Sequence, residues 1–91
     1  MNQSEMLTAL KTDLGITATV YDTRLTQMLQ NAQEQMRIEG ANLSPSTSFC
    51  DANLIVMYAA WLWRRRDTMI AMPRMLRWQL NNRIFSEKVN S

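Results

Sequence analysis

Side chains suited to catalysis are few and scattered in this sequence. The 91 residues contain no histidine and a single cysteine, Cys50, so neither a catalytic histidine nor a zinc ligand set is available. The carboxylates are scattered, and no pair falls on one face of a predicted helix beside an apolar pocket. Glycine occurs only at positions 15 and 40, which excludes a glycine-rich phosphate loop. We therefore expect no enzyme, no metal and no cofactor, and we expect Cys50 to be a buried structural thiol.

Arginine and tryptophan have the strongest binding chemistry in the chain. Eight of the ten basic residues are arginine, and the three tryptophans all lie in the second half. Arginine makes planar, bidentate contacts, and both residue types are enriched at the energetic centres of protein interfaces. The candidates for subunit or partner contacts are Trp61, Trp63, Arg64, Arg65, Arg66, Arg74, Arg77, Trp78 and Phe85.

Charge is distributed unevenly, although the net charge is only +2. Residues 1–45 carry three basic and five acidic residues, for −2, whereas residues 46–91 carry seven basic and three acidic residues, for +4. This distribution permits nucleic-acid binding without requiring it. The arginines at 64–66 have three open interpretations: they end a helix, pair with carboxylates of a neighbouring subunit, or touch DNA phosphates.

Helical periodicity dominates, which predicts a single all-α domain over residues 1–91: a compact bundle of about four helices, two of them longer and central. Thr19 with Asp22, and Ser48 with Asp51, form capping patterns at two helix starts. The predicted elements are a first helix over Ser4–Leu14 ending at Gly15, a second from about Thr19 to Gly40, a loop over 41–48, a third helix from about Cys50 to Asp67, a joint over 68–72, a fourth helix from Pro73 to about Phe85, and a frayed end over 86–91.

The third and fourth helices carry more apolar surface than one small bundle needs. Residues 54–63 are apolar on every side, so the third helix is either a central core helix or packs one flank against another subunit. On the fourth helix, Leu76, Leu80 and Ile84 form a core stripe, while Trp78 lies about 160° around the helix from Leu80. The side that carries Trp78 is then an interface, unless Trp78 lies flat across a neighbouring loop.

The order of these segments resembles that of the small head-tail connector proteins of tailed bacteriophages and prophages. The similarity covers about residues 4–85, and its second half is the more specific. It is carried by Leu14-Gly-Ile16, Gly40, the Ser44-Pro45 loop, Tyr58-Ala-Ala-Trp61-Leu-Trp-Arg-Arg-Arg66 and Met72-Pro-Arg-Met-Leu-Arg-Trp-Gln-Leu-Asn-Asn-Arg-Ile-Phe85.

The resemblance implies a helical protomer that assembles into a ring, which we expect to match the twelve-fold symmetry of the portal. Such rings dock beneath the portal, extend the DNA channel and form the platform for the next neck or tail-completion protein. The implied partners are other copies, the portal and that neck protein. DNA passes without sequence-specific binding, and no membrane is involved. The implied location is the virion neck, with the host cytoplasm during assembly.

A small helical DNA-binding regulator is the main alternative. In that case the fourth helix would be a recognition helix with Arg74, Arg77, Asn81 and Asn82, because arginine and asparagine read guanine and adenine edges. Trp78 interrupts this polar face. An antitoxin-like or chaperone-like partner protein is a third possibility.

Overall fold

Four α-helices follow one another in the computed structural model, which describes residues 1–65 and 71–90, with side chains up to residue 86. The helices are α1 (Gln3–Leu14), α2 (Asp22–Ile38), α3 (Phe49–Arg64) and α4 (Arg74–Asn90), and a short 3-10 turn (Thr19–Tyr21) precedes α2. No strand occurs within the described ranges, and the predicted all-α bundle is confirmed. In the same part of the chain, none of the helices combines the length and apolarity needed to cross a membrane.

Glycine ends the first two helices, as predicted. Gly15 adopts a left-handed conformation with φ of +70°, and its N–H bonds back to carbonyls in the last turn of α1. Gly40 has a φ of +109° directly after α2. A residue with a Cβ would be strained at either position, so the chain turns where glycine permits it.

The two predicted capping patterns behave differently. At α3 the Ser48 hydroxyl accepts a bond from the Asp51 N–H (3.2 Å), as predicted. The Thr19/Asp22 pattern was wrong: α2 follows the 3-10 turn, and no side-chain bond caps it. Asp22 instead pairs with Lys11 of α1 (2.8 Å), so a contact between helices replaces the local cap.

The core surrounds α3, which contacts α1, α2 and α4. Residues of α3 from Leu54 to Ala60 are buried except for Met57, which is partly buried. This confirms α3 as a central core helix. The buried apolar residues of the whole bundle are Met6, Leu10, Leu25, Met28, Leu29, Ala32, Met36, Ala41, Ala52, Leu54, Ile55, Val56, Tyr58, Ala59, Ala60, Leu76 and Leu80.

The fourth helix continues beyond its predicted end at Phe85, through Asn90, and part of the segment predicted to fray is therefore helical. With 17 residues it is as long as α2, so three helices rather than two are of similar length. Arg66, the predicted end of the third helix at Asp67 and most of the predicted joint lie outside the described residues.

Contacts between helices distinguish two ends of the bundle. At one end the last turn of α1 meets the end of α3, where Arg64 bonds to the Asp13 carbonyl (3.1 Å). Asp13 also lines a cleft together with Pro73 and Met75, so the start of α4 lies at this end. The start of α3 and the second half of α4 lie at the other end.

Candidate interaction surface

One face of α4 is uncovered and carries large apolar side chains. Met75, Trp78 and Phe85 expose 59%, 62% and 67% of their surface, whereas Leu76 and Leu80 on the opposite side are buried. The predicted core stripe and the predicted exposure of Trp78 are thereby confirmed. No loop among the described residues covers Trp78. We define the outer face of α4 as Arg74, Met75, Trp78, Asn81, Asn82 and Phe85.

The helical repeat explains why these residues share one side. Residues three, four and seven positions apart fall close together around a helix, and Trp78, Asn81, Asn82 and Phe85 have this spacing. Polar amides between aromatic rings combine hydrogen-bonding capacity with apolar area, a composition typical of the centre of protein interfaces. This face therefore combines apolar contact area with side chains that can form hydrogen bonds.

A groove opens beside this face, between α3 and α4. Cys50, Leu54, Trp78 and Asn82 line its part near the start of α3. Cys50 is exposed, so the expectation of a buried thiol was wrong. The reason is its position on α3, which faces the open groove rather than a neighbouring helix.

Trp61 and Trp63 were predicted with Trp78 as contact residues, but the structure places them elsewhere. Trp61 is half-buried, packs edge-on against Tyr58 (ring centroids 5.4 Å apart) and lies under the Arg65 guanidinium (4.6 Å from its ring centroid). Trp63 packs edge-on against Tyr21 at 5.7 Å. Both rings therefore already have aromatic partners within the chain.

Arg64 and Arg65, at the end of α3, make contacts within the protomer. Arg64 donates to the Asp13 carbonyl at the last turn of α1, where a cation is favoured by the helix dipole. Arg65 stacks on Trp61 and occupies the C-cap of α3. Two of the three arginines thus cover helix ends or an aromatic ring, which favours the first interpretation of the run.

Arg77 turns from the outer face towards the end of α2. It donates to Glu39 at 2.8 Å, and this pair lies near Tyr58. Burial raises the pKa of Tyr58, and the negative charge of Glu39 adds to the effect. Arg77 therefore holds α4 against α2, while Arg74 is exposed on the outer face.

Sequence reasoning missed the ion pair that fixes α4 on α3. Arg83 donates to both carboxylate oxygens of Asp51 (2.9 and 3.2 Å) and to the Asn42 carbonyl (2.9 Å), and Asp51 also accepts a bond from the Ser44 N–H (2.9 Å). Burial alone would raise the pKa of Asp51, but the bonds from Arg83 and Ser44 outweigh it and the pKa is lowered.

A signal for this pair was present in the sequence. Arg83 falls on the core stripe of α4 between Leu80 and Ile84, and Asp51 precedes the buried turn of α3 that begins at Leu54. A charged residue on a core-facing stripe needs a partner of opposite charge. Among the described side chains, no group of three or more Cys, Asp or Glu is close enough to hold a metal ion.

Comparison with known protein families, with curated proteins and with solved structures finds no match for this chain. The functional interpretation therefore depends on its own residues and geometry.

Proposed function

We propose that this chain is a structural subunit that assembles with copies of itself through the outer face of α4, and that the assembly is a ring of the head-tail connector type. The observation that carries the proposal is the exposure of Trp78 and Phe85 on one helical face, at 62% and 67%. A small protein with two large aromatic rings in water on one face has a strong tendency to cover them.

Covering the outer face of α4 would contribute free energy to association. Burying one large apolar side chain contributes about 1.5–3 kcal/mol, and tryptophan and arginine are the residue types that dominate interface energies. The outer face of α4 has one residue of each type, with Trp78 at its centre and Arg74 at one end. Asn81 and Asn82 supply hydrogen bonds that orient the contact.

The connector assignment draws further support from the resemblance of the segment from Tyr58 to Phe85 to that family. On this proposal the ring docks under the portal in the virion neck, extends the DNA channel and receives the next neck protein. Its role is structural, without catalysis, and DNA passes through without sequence-specific contacts. The host cytoplasm is the place of assembly.

The DNA-binding alternative has weaker support from the same helix. Arg77 is paired with Glu39 and Arg83 with Asp51, so these two guanidinium groups already serve the fold. Trp78 and Phe85 lie among the remaining polar residues of this helix face. Arg74, Asn81 and Asn82 therefore do not form a continuous polar surface that could contact DNA bases. We therefore treat sequence-specific DNA binding as an outcome of the test.

The test is the mass of the protein in solution over a range of concentrations, with and without an isolated portal ring. We expect concentration-dependent oligomers, and we expect Trp78→Ala to weaken association about tenfold to a hundredfold while helicity is kept. Ile38→Ala is the control, because Ile38 is 68% exposed but lies on α2. It should leave the oligomer unchanged.

A strict monomer at every concentration, also beside the portal, would contradict the proposal. Association that survives Trp78→Ala but fails in Ile38→Ala would contradict the assigned surface. A gel shift that depends on DNA sequence and weakens steeply with salt would instead establish the regulator.

A further inference from the structure

Four exposed side chains of α4 have the spacing of a coiled-coil seam. Met75, Trp78, Asn82 and Phe85 are separated by three, four and three positions, and we call these four residues the α4 seam. Alternating steps of three and four direct one stripe of a helix towards a second helix. We infer that this second helix is α4 of another copy, packed parallel and in register. The inference rests on the proposed self-association and names the partner surface for it.

The α4 seam points directly away from the core of its own protomer. At 3.6 residues per turn its four members fall within about 80° of arc, and the middle of that arc lies opposite Leu80. Leu80 and Leu76 are buried in the core, at 0% and 1% exposure. The helix therefore has two apolar stripes, one packed within the protomer and one exposed to solvent.

The bundle already holds α4 in the helical conformation that such a seam requires. A stripe of two heptads is too short for an isolated coiled coil, because short helices are marginal in water. Here Leu76 and Leu80 are packed in the core, and Arg83 bonds to Asp51 of α3. Two folded protomers can therefore pair without a further cost for ordering the helix.

Polarity favours a second copy as the partner. No member of the α4 seam is charged, and the nearby guanidinium of Arg77 is held by Glu39 on another side of the helix. The one polar member is Asn82, whose amide has both an acceptor and donors. In a parallel pair it lies opposite Asn82 of the other copy, and each amide can donate to the other. A single asparagine in such a stripe fixes the register, at some cost in stability.

The direction of the pair follows from the same amide and from the edges of the α4 seam. In an antiparallel pair Asn82 would lie opposite Trp78, whose indole has a donor but no acceptor for the amide N–H groups. In a parallel pair the two copies of Arg74 lie on opposite edges, so their charges do not meet. Each guanidinium then lies beside Gln79 of the other copy, whose amide oxygen can accept a hydrogen bond.

The area of the α4 seam indicates a contact that dissociates on dilution. Tryptophan and phenylalanine bury about 150–250 Å² each, and Trp78 and Phe85 still expose 62% and 67% of their surface. These rings on two copies therefore supply roughly 400–650 Å². Specific interfaces bury at least about 1,200 Å² in total, so Met75 and the edge residues must supply the remainder. The pair lies near the lower limit of interface size.

A parallel pair is compatible with a ring. Its two-fold axis runs along the α4 seam, and a two-fold contact closes at two copies. Both copies of α4 point in the same direction, as in copies that surround one ring axis. The ring of the proposed function would then be built from such pairs, joined through a second surface.

Replacing Asn82 by leucine tests the α4 seam, because the expected result is a gain. Asn82→Leu puts an apolar side chain where two copies meet and should strengthen association at least tenfold in sedimentation velocity. It should also permit more than one oligomeric state, because the amide that fixes the register is lost. Asn81→Leu adds the same side chain one position away, at the edge, and is the control. It should change association less than threefold.

Disulfide formation tests the direction. In a Cys50→Ser background, the Asn82→Cys variant should form a disulfide between two copies when a mild oxidant is added, because the two thiols meet at the two-fold axis. The Asn81→Cys variant in the same background is the control and should not. In an antiparallel pair the two residues at position 82 would lie about 6 Å apart along the axis, in addition to the distance between the helices, which exceeds the reach of a disulfide.

The outcomes separate this inference from the proposed function. If Trp78→Ala disrupts the oligomer but Asn82→Leu weakens it, α4 contacts a different surface of the other copy, and the proposed function stands. Stronger association of Asn82→Leu without a disulfide in Asn82→Cys overturns the parallel direction. A disulfide in Asn81→Cys alone overturns the register. A wild-type protein that stays monomeric overturns both the inference and the proposed function.

Discussion

At the scale of single residues, Asp51 is a buried acidic side chain that contacts two other parts of the fold. It is 4% exposed, and its carboxylate receives bonds from Arg83 of α4 and from the Ser44 N–H in the loop. A buried carboxylate is tolerated only when such partners satisfy it. One side chain thus joins the loop, α3 and α4, and it sets the direction in which the outer face of α4 points.

Replacing Asp51 by Asn should lower the free energy of unfolding by about 1.5–3 kcal/mol, the usual contribution of a hydrogen bond to a charged group. Urea denaturation at neutral pH measures this change in the free energy of unfolding. Glu34→Gln removes an exposed carboxylate that pairs with Arg37 on the surface of α2, and it should lower the free energy of unfolding less, because solvent screens an exposed pair. Equal losses in the two variants would contradict the role of Asp51.

The same variant has a predictable pH dependence. The pKa of Asp51 is lowered from 3.8, so the ionised carboxylate stabilises the fold at every pH above about 4. That contribution is lost as the pH falls through the lowered pKa. The difference in unfolding free energy between wild type and Asp51→Asn should therefore shrink on acidification below pH 4. A difference that grows would be inconsistent with a lowered pKa.

At the scale of helices, the two capping patterns provide a matched pair. Ser48→Ala removes the hydroxyl that accepts the Asp51 N–H at the start of α3 and should cost about 0.5–2 kcal/mol. Thr19→Ala should cost less, because no side-chain bond caps the 3-10 turn or α2. Thermal unfolding of both variants measures the two losses of stability. A larger loss in Thr19→Ala would restore the sequence-based assignment.

Periodicity predicted what depends on one helix alone. The spacing of Leu76 and Leu80 identified the buried side of α4, and it placed Trp78 on the opposite, exposed side. The ends at Gly15 and Gly40 were predictable for the same reason, since a positive φ is a local property of glycine. Each of these features is determined within about two turns of chain.

Features that depend on a neighbouring helix could not be predicted in this way. Arg64 and Arg77 resembled surface binding residues, but their partners Asp13 and Glu39 lie 51 and 38 positions away. Cys50 was expected to be a buried structural thiol, yet it faces a side of α3 on which no helix of the described residues packs. Periodicity gives the direction of a side chain from its own axis and says nothing of what lies there.

At the scale of the whole molecule, α3 is covered by three helices, and a groove remains open along its fourth side. Trp78 and Asn82 belong to the outer face of α4 and also line this groove, so association through that face covers the groove. Association through another surface would leave it open. The accessibility of the groove therefore distinguishes the two modes of assembly.

Cys50 reports on that groove, because it is exposed and lines it together with Leu54 and Trp78. If copies associate through the outer face of α4, a thiol reagent should modify Cys50 more slowly in the oligomer than in the monomer, because Trp78 and Cys50 line the same groove. The rate is measured by absorbance at protein concentrations below and above the association midpoint. Asn81→Cys in a Cys50→Ser background is the matched probe of the outer face of α4 and should become protected on association. Unchanged reactivity of both thiols across the association midpoint would place the contact on another surface and contradict the proposed interface.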